Sequence, residues 1–168
     1  MLSAHEFKAA FRNHPAGVAL ITAEGPEGPV AMTATSVSSA SVTPPLLVFS
    51  VSELSSSAPA IREAETLVVH LLEAEQLHLA KLGATSGIDR FADTSLWTRL
   101  PTGEPYFPSA SSWIRGRVVG TVPAGVATIV LVEALEAHVQ EAQSSGSTHP
   151  LVYHNRTWHR LGDHSRID

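Results

Sequence analysis

The sequence contains no cysteine. Disulfides, thiolate zinc sites and iron–sulfur clusters are thereby excluded. No apolar run reaches the length that crosses a bilayer. The opening M-L-S-A-H-E-F-K lacks a basic segment followed by an apolar one, so no secretory signal is read there. The expectation is a cytoplasmic chain with no membrane partner. Charge is also sparse, at 16% of residues with a net charge of −5. The eleven lysines and arginines are scattered rather than clustered, which argues against a nucleic-acid partner. There is no G-x-S-x-G nucleophile elbow, no G-x-x-x-x-G-K-S/T phosphate loop and no G-x-G-x-x-G dinucleotide fingerprint. Nine histidines are present, but there is no H-E-x-x-H, and His149, His154 and His159 alternate faces if they lie on strands. No metal site is expected.

The 168 residues, 43% of them hydrophobic, suffice for one domain over 1–168. There is no internal repeat and no linker. Ser3 with Glu6 three residues on is a capping-box signature, and Phe7, Ala10 and Phe11 share a face, predicting a helix over 3–14. Gly17–Ala23 and the run from Val30 read as a hairpin about the turn E-G-P-E-G-P. Ser55–Glu65 reads as a short helix with Pro59 in its first turn. Thr66–Leu72 is almost continuously apolar, hence a strand buried on both faces, with His70 read as a core residue. Glu73–Gly83 is helical, with Gly83 as its stop, and a loop through Arg90-Phe91 follows. The segment 94–112 is irregular. Ser112–Gly120 and Ala127–Ala134 are strands by their β-branched content. A polar loop spans 140–149, Pro150–Leu161 forms a hairpin about Asn155-Arg156, and 162–168 is expected to be a disordered tail. Many short strands with few helices predict a mainly β domain, a barrel or sandwich with peripheral helices.

The most informative stretch is Val30–Ser57, V-A-M-T-A-T-S-V-S-S-A-S-V-T-P-P-L-L-V-F-S-V-S-E-L-S-S-S. Its polar members are small and neutral, where a solvated strand face would carry lysine or glutamate. Small hydroxyls admit a ligand close to the backbone and offer both donors and acceptors. A helix starting among Ser55, Ser56 and Ser57 would add free N–H groups suited to a phosphate, and Arg90 beside Phe91 could clamp a phosphate and cover a ring. These residues point to a planar, phosphate-bearing cofactor. The competing reading is a serine- and threonine-rich solvated sheet face.

Several segments together carry a family resemblance: F-R-N-H-P-A-G-V-A-L-I-T at 11–22, M-T-A-T-S-V-S-S-A-S-V-T-P-P at 32–45, 47–61, 67–72, Asp89-Arg90-Phe91, and the closing P-L-V-Y-H-N-R-T-W-H-R. In their order and spacing the chain resembles the flavin reductase-like family, the FMN-binding split-barrel proteins that include reductase components of two-component flavin monooxygenases. The resemblance implies a six-stranded Greek-key split β-barrel and a homodimer. It implies FMN or FAD as cofactor, NADH or NADPH as co-substrate, and a partner monooxygenase. Thr33, Ala34, Thr35 and Ser36 match the segment beside the flavin ring, and Ser50, Val51 and Ser52 the next strand's contribution. Ser56 and Ser57 match the phosphate turn, and Arg90 and Phe91 a loop at the phosphate end. No catalytic acid or base is implied. Two departures stand out. His70 replaces the family's usual asparagine, and Gly125-Val126-Ala127 replaces a Gly-Asp-His or Gly-Thr-His motif. The lost histidine leaves a flavin-binding protein without reductase activity as one alternative. A haem protein with His70 or another histidine as axial ligand is a second.

Overall fold

The computed structural model describes residues 1–140 and 148–168, so most of the expected polar loop at 140–149 lies outside the described residues. The first helix, α1 (Ala4–Arg12), begins with the predicted capping box: Ser3 Oγ accepts the Glu6 N–H at 3.2 Å, and the Glu6 carboxylate accepts the Ser3 N–H at 3.0 Å. No residue of α1 is buried; Phe7 and Phe11 pair on its surface with ring centroids 4.8 Å apart. The strands β1 (Ala16–Gly17), β2 (Ala19–Gly25), β3 (Gly28–Ala34), β4 (Ser38–Ser41) and β5 (Leu46–Ser52) follow. Next come α2 (Ala58–Glu63), β6 (Thr66–Leu71), a 3₁₀ turn at Ala74–Gln76 and α3 (Leu77–Ala84). The short pair β7 (Thr98–Arg99) and β8 (Pro105–Tyr106) interrupts the segment expected to be irregular. The long strands β9 (Ser112–Ala124) and β10 (Ala127–Val139) then meet at Gly125-Val126, with Gly125 at φ 64°. Both run four or five residues beyond the stretches read from sequence. The chain ends with β11 (Leu151–His154), β12 (Thr157–Arg160) and a 3₁₀ turn at Asp163–Ser165. Ser165 Oγ closes that turn on the Gly162 carbonyl at 2.7 Å, where a disordered tail was expected.

The principal sheet is antiparallel, in the order β3-β2-β6-β9-β10-β5-β4. Its two edge strands are joined in sequence by Thr35-Ser36-Val37 alone. Six inter-strand spacings of a flat sheet would separate those edges by roughly 29 Å. The four Cα steps from Ala34 to Ser38 span about 15 Å at most. The sheet must therefore curl until its edges approach, and β3 does lie beside β5. The result is the mainly β barrel-like fold with peripheral helices that was expected, with seven strands in place of six. The extra strand is Ser38–Ser41, a run that the sequence reading assigned to no strand.

Side-chain alternation decides what lies inside. Ile21, Met32, Ala34, Leu47, Phe49, Val51, Leu67, Val69, Val130 and Val132 form the interior cluster, which α2 plugs with Ala58 and Ile61. The opposite face of β2, through Leu20, packs with Val18 just before the strand, Leu79 and Ala80 of α3, Phe91 and Phe107. β2 and β6 are thus buried on both faces. A buried carboxylate, Glu104, ties β8 to the barrel wall: Thr66 Oγ1 and Arg115 Nε donate to it at 2.7 Å each, and Thr102 donates as well. Burial by itself would raise its pKa, but these bonds and one from its own backbone hold it at about 2. No helix among the described residues is long and apolar enough to cross a membrane, and no group of three potential metal ligands occurs among them.

Candidate functional site

The approach of β3 to β5 leaves a seam, and the seam is bridged by one side chain. Ser36 Oγ accepts the Ser50 N–H at 3.0 Å and donates to the Ser50 carbonyl at 3.2 Å. This hydroxyl takes over where the ladder from β4 stops at Val48. Beside the bridge lies a cleft of about 570 Å³, a size usual for small-molecule sites. Its floor is Thr33, Ala34, Thr35 and Ser36 from the end of β3, with Ser50 and Ser52 from β5. Its far wall is Ser55 and Ser56 from the turn before α2, the end of α3 at Gly83 and Ala84, and Ser86, Gly87 and Arg90 from the following loop. Alternation explains the floor: with Leu47, Phe49 and Val51 inward, Ser50 and Ser52 must face out.

Of the residues read from sequence, Thr33, Ala34, Thr35, Ser36, Ser50, Ser52, Ser56 and Arg90 line this cleft. Ser57 and Phe91 line a smaller adjoining hollow of about 170 Å³ that shares Ser56, Gly87 and Arg90 with it. Val51 lines neither. Its side chain is wholly inside the barrel, so only its backbone faces the seam side. Ser57 is buried, and its hydroxyl donates to the Ala31 carbonyl at 3.1 Å and accepts from Arg90 at 3.3 Å. It braces the wall and has no proton to offer a ligand. Phe91 is buried against Trp97 and Phe107. α2 begins only at Ala58, and its Ser57 cap makes no side-chain bond to the helix.

Among the described residues, Arg90 is the one charged residue that lines the cleft. Its Nη1 donates to the Ala31 carbonyl and to Ser57 Oγ, its Nε and Nη2 to the Thr85 carbonyl at 3.3 and 3.1 Å. Those bonds use four of five guanidinium protons and clamp the 85–90 loop to β3, leaving one proton and the charge for the cleft. Burial lowers its pKa, yet an arginine stays protonated. The neutral donors are also poised. Ser52 and Ser55 hydroxyls accept backbone N–H groups from Leu54 and Ser57, leaving their own protons to donate. The arrangement therefore fits a phosphate at the Arg90 end and a polar-edged ring toward Thr35 and Ser36.

Sequence reasoning missed the α3 contribution. Gly83 was read as a helix stop; it lies within the last turn of α3 at the closest approach to β3. A Cβ there would sit 2.5 Å from Thr33 Oγ1, 2.9 Å from Thr33 N and closer still to Leu20 Cδ1. The glycine is what lets the Ala80 carbonyl accept from Thr33 Oγ1 at 2.6 Å. Its partners lie 50 and 63 residues away in sequence, so no local pattern announces them. Ala127 also lines the cleft, at the position where the family motif carries histidine.

His70 is fully buried in β6 with both ring nitrogens engaged: Nδ1 lies 2.8 Å from the Leu20 carbonyl, and Nε2 accepts the Phe107 N–H at 3.0 Å. This assigns the neutral Nδ1-H tautomer. Burial pushes its pKa down to about 4, against the smaller opposing effect of the Leu20 carbonyl. It has no nitrogen for an axial metal, which removes the haem alternative through His70.

The family model described as flavin reductase like domain matches residues 11–162. A protein named NADH:FMN oxidoreductase from Rhodococcus erythropolis is 44% identical over 159 residues, covering 95% of this chain and 82% of its own length. The reductase component of 4-nitrophenol 4-monooxygenase/4-nitrocatechol 2-monooxygenase from Rhodococcus opacus is 30% identical, over 88% of this chain and 77% of that protein. The crystal structure of a flavin reductase domain protein from Arthrobacter sp. FB24 superposes with a TM-score of 0.88 at 31% identity, covering 99% of this chain and 98% of that one.

Proposed function

The chain belongs to the flavin reductase like domain family, and we infer from this and from the cleft that it is an NADH-dependent flavin reductase supplying reduced flavin to a partner monooxygenase. The observation that carries the reading is the seam cleft itself, lined by neutral hydroxyls with a single guanidinium at one end. When bound, the flavin would supply the redox chemistry, that of hydride transfer from a reduced nicotinamide. The chain's own part is to hold and orient. Arg90 and the Ser55 and Ser56 hydroxyls would take the phosphate of FMN, and Ser52 the polyol stem. Thr35 and the backbone around Ser36 and Ser50 would meet the ring's polar edge, where donors stabilise the charge that develops on reduction. In this reading no side chain needs to act as acid or base; among the described residues, the cleft lining has no carboxylate and no histidine.

Residues 1–168 are taken as one such domain. We also propose a homodimer. Val119, Val122 and Ile129 on the β9–β10 hairpin, with Val126 at its tip, are exposed apolar side chains on one hairpin, the kind of surface a second copy covers. Sedimentation at micromolar concentration would read a monomer if this is wrong. A cytoplasmic location, where reduced nicotinamide nucleotides are made, belongs to the same proposal.

Titration with FMN followed by NADH oxidation tests the function. The expected result is saturable FMN binding and FMN-dependent loss of NADH absorbance, with FAD and NADPH compared in parallel. Binding without turnover would favour a flavin carrier over a reductase.

A further inference from the structure

The turn that carries Ser55 and Ser56 into the flavin cleft is held from behind by Glu53. Strand alternation places Ser50 and Ser52 on the cleft side and Phe49 and Val51 inside the barrel. Glu53 comes two residues after Val51 and lines neither the cleft nor the adjoining hollow. Its carboxylate reaches two other elements instead. Thr128 Oγ1 of β10, a buried hydroxyl, donates to Glu53 Oε1 at 2.7 Å. Arg62, in the last turn of α2, pairs with Glu53 Oε2. The Glu53 N–H donates to the Val126 carbonyl at 3.0 Å. One residue thus joins the end of β5 to β10, to the β9–β10 turn and to α2.

Stability is a poor account of this residue, because a pair as exposed as Glu53–Arg62 contributes little. Glu53 continues the inward series of Phe49 and Val51, where an apolar side chain would close the barrel rim without desolvating a charge. The carboxylate is nevertheless held ionised: the Thr128 hydroxyl and then Arg62 lower its pKa against the opposing effect of burial. What its contacts fix is the turn. The N–H groups of Leu54 and Ser55 bond to Ser52 Oγ and the Ser52 carbonyl at 3.2 and 3.0 Å. Those of Ser57 and Ala58 bond to Ser55 Oγ and the Ser55 carbonyl at 3.3 and 3.1 Å. The Ser56 N–H has no acceptor among the described residues. Ser56 therefore stands between two anchors. Ser57 ties one side to Ala31 and Arg90, and Glu53 ties the other to β10 and α2.

We propose that Glu53 is a positioning residue for the flavin phosphate: by anchoring the 53–57 turn to Thr128 and Arg62, it keeps Ser55 and Ser56 in register with Arg90. The inference rests on the flavin reductase reading, which puts a phosphate at that end of the cleft. Glu53 itself touches no substrate. A phosphate held by several donors at once is sensitive to their mutual geometry, because hydrogen bonds weaken steeply as their angles open. The ring's partners at Thr35, Ser36 and Ser50 are held by the Ser36–Ser50 bridge instead. Loss of Glu53 therefore tells on the phosphate and not on the ring.

The test compares the natural chain with Glu53→Ala and Glu53→Gln, the glutamine keeping an acceptor for Thr128. FMN and riboflavin, which lacks the phosphate, are titrated by flavin fluorescence. Initial rates are then measured against FMN at saturating NADH. In Glu53→Ala the FMN dissociation constant should rise about tenfold, the size of one lost charge-assisted contact, with riboflavin binding little changed. KM for FMN should rise with it while kcat holds, and Glu53→Gln should recover most of the loss. An unchanged ratio of FMN to riboflavin affinity in Glu53→Ala overturns the proposal. So does tighter FMN binding in both variants, which would make Glu53 only a repulsive charge. If the natural chain binds neither flavin, the flavin reductase reading fails, and amide hydrogen exchange over 54–57 decides the anchor by itself. Faster exchange in Glu53→Ala than in the natural chain and Glu53→Gln supports it; equal exchange in all three overturns it.

Discussion

Ser36 Oγ stands 3.0 Å from the Ser50 nitrogen and 3.2 Å from the Ser50 oxygen, a side chain doing the work of a strand across the open edge of the barrel. Thr35, Ser36, Ser50 and Ser52 of the cleft floor lie along that seam. Ser36→Ala removes both bonds at once. Because the bridge is solvent-exposed, water replaces part of the loss, and the stability cost should be about 1 kcal/mol or less. FMN affinity should fall by more than stability does, since the floor loses its register. A denaturant titration with a parallel FMN titration checks both; an unchanged FMN dissociation constant would show that the bridge does not position the cleft.

Arg90 separates phosphate recognition from ring recognition. Arg90→Lys keeps a charge but cannot reach Ala31, Ser57 and Thr85 simultaneously. FMN affinity is expected to drop on the order of tenfold, and riboflavin, which has no phosphate, to be affected much less. Flavin fluorescence quenching measures both. Equal losses for the two ligands would mean that Arg90 only holds the loop.

How far these residues could be read without coordinates depends on the range of the physics involved. The neutral hydroxyls of Thr33–Ser36 and Ser50–Ser52 stood out because alternation is local, and the same alternation places Val51 inside with Leu47 and Phe49. The capping box at Ser3 and the turn at Asn155-Arg156 are local too, and both occur where read. His70 was legible as a core residue from its apolar surroundings, though not its partners Leu20 and Phe107. The Glu53–Thr128 contact was not legible at all. It joins residues 75 apart in sequence, which only the closed fold brings together.

His70 and Glu104 make the fold acid-sensitive. A histidine near 4 in the folded chain and 6.5 when unfolded binds more protons unfolded, so its contribution is complete above about pH 6.5 and is lost as pH falls toward 4. Glu104, near 2 folded against 4.5 unfolded, loses its contribution below that, as pH falls from 4.5 toward 2. Each shift corresponds to on the order of 3 kcal/mol at full loss. His70→Asn, which keeps a donor and an acceptor, should flatten the pH dependence of stability between pH 6.5 and 4 while leaving the lower limb in place. Urea midpoints taken across that range test the assignment. A mutant with the same slope as the natural chain would place the titrating group elsewhere.

Gly83→Ala sets helix propensity against packing. Alanine in place of glycine in a helix interior is worth about 1 kcal/mol in favour of the helix. Here the added methyl meets Leu20 Cδ1, Thr33 Oγ1 and the Thr33 backbone nitrogen, the last at 2.9 Å and belonging to a strand that cannot turn aside as a side chain can. Overpacking of this kind costs about 1–3 kcal/mol, so the net change should be destabilising. α3 can relieve the clash only by moving off β3, which breaks the Thr33–Ala80 bond and widens the cleft at Gly83 and Ala84. Thermal stability and FMN affinity should therefore fall together in Gly83→Ala. Gly87→Ala is the control: its Cβ meets nothing within 4 Å, and only its φ of 76° opposes the change. If Gly83→Ala instead melts higher and binds FMN as before, α3 is not wedged against Thr33, and the cleft's far wall is set by the loop alone.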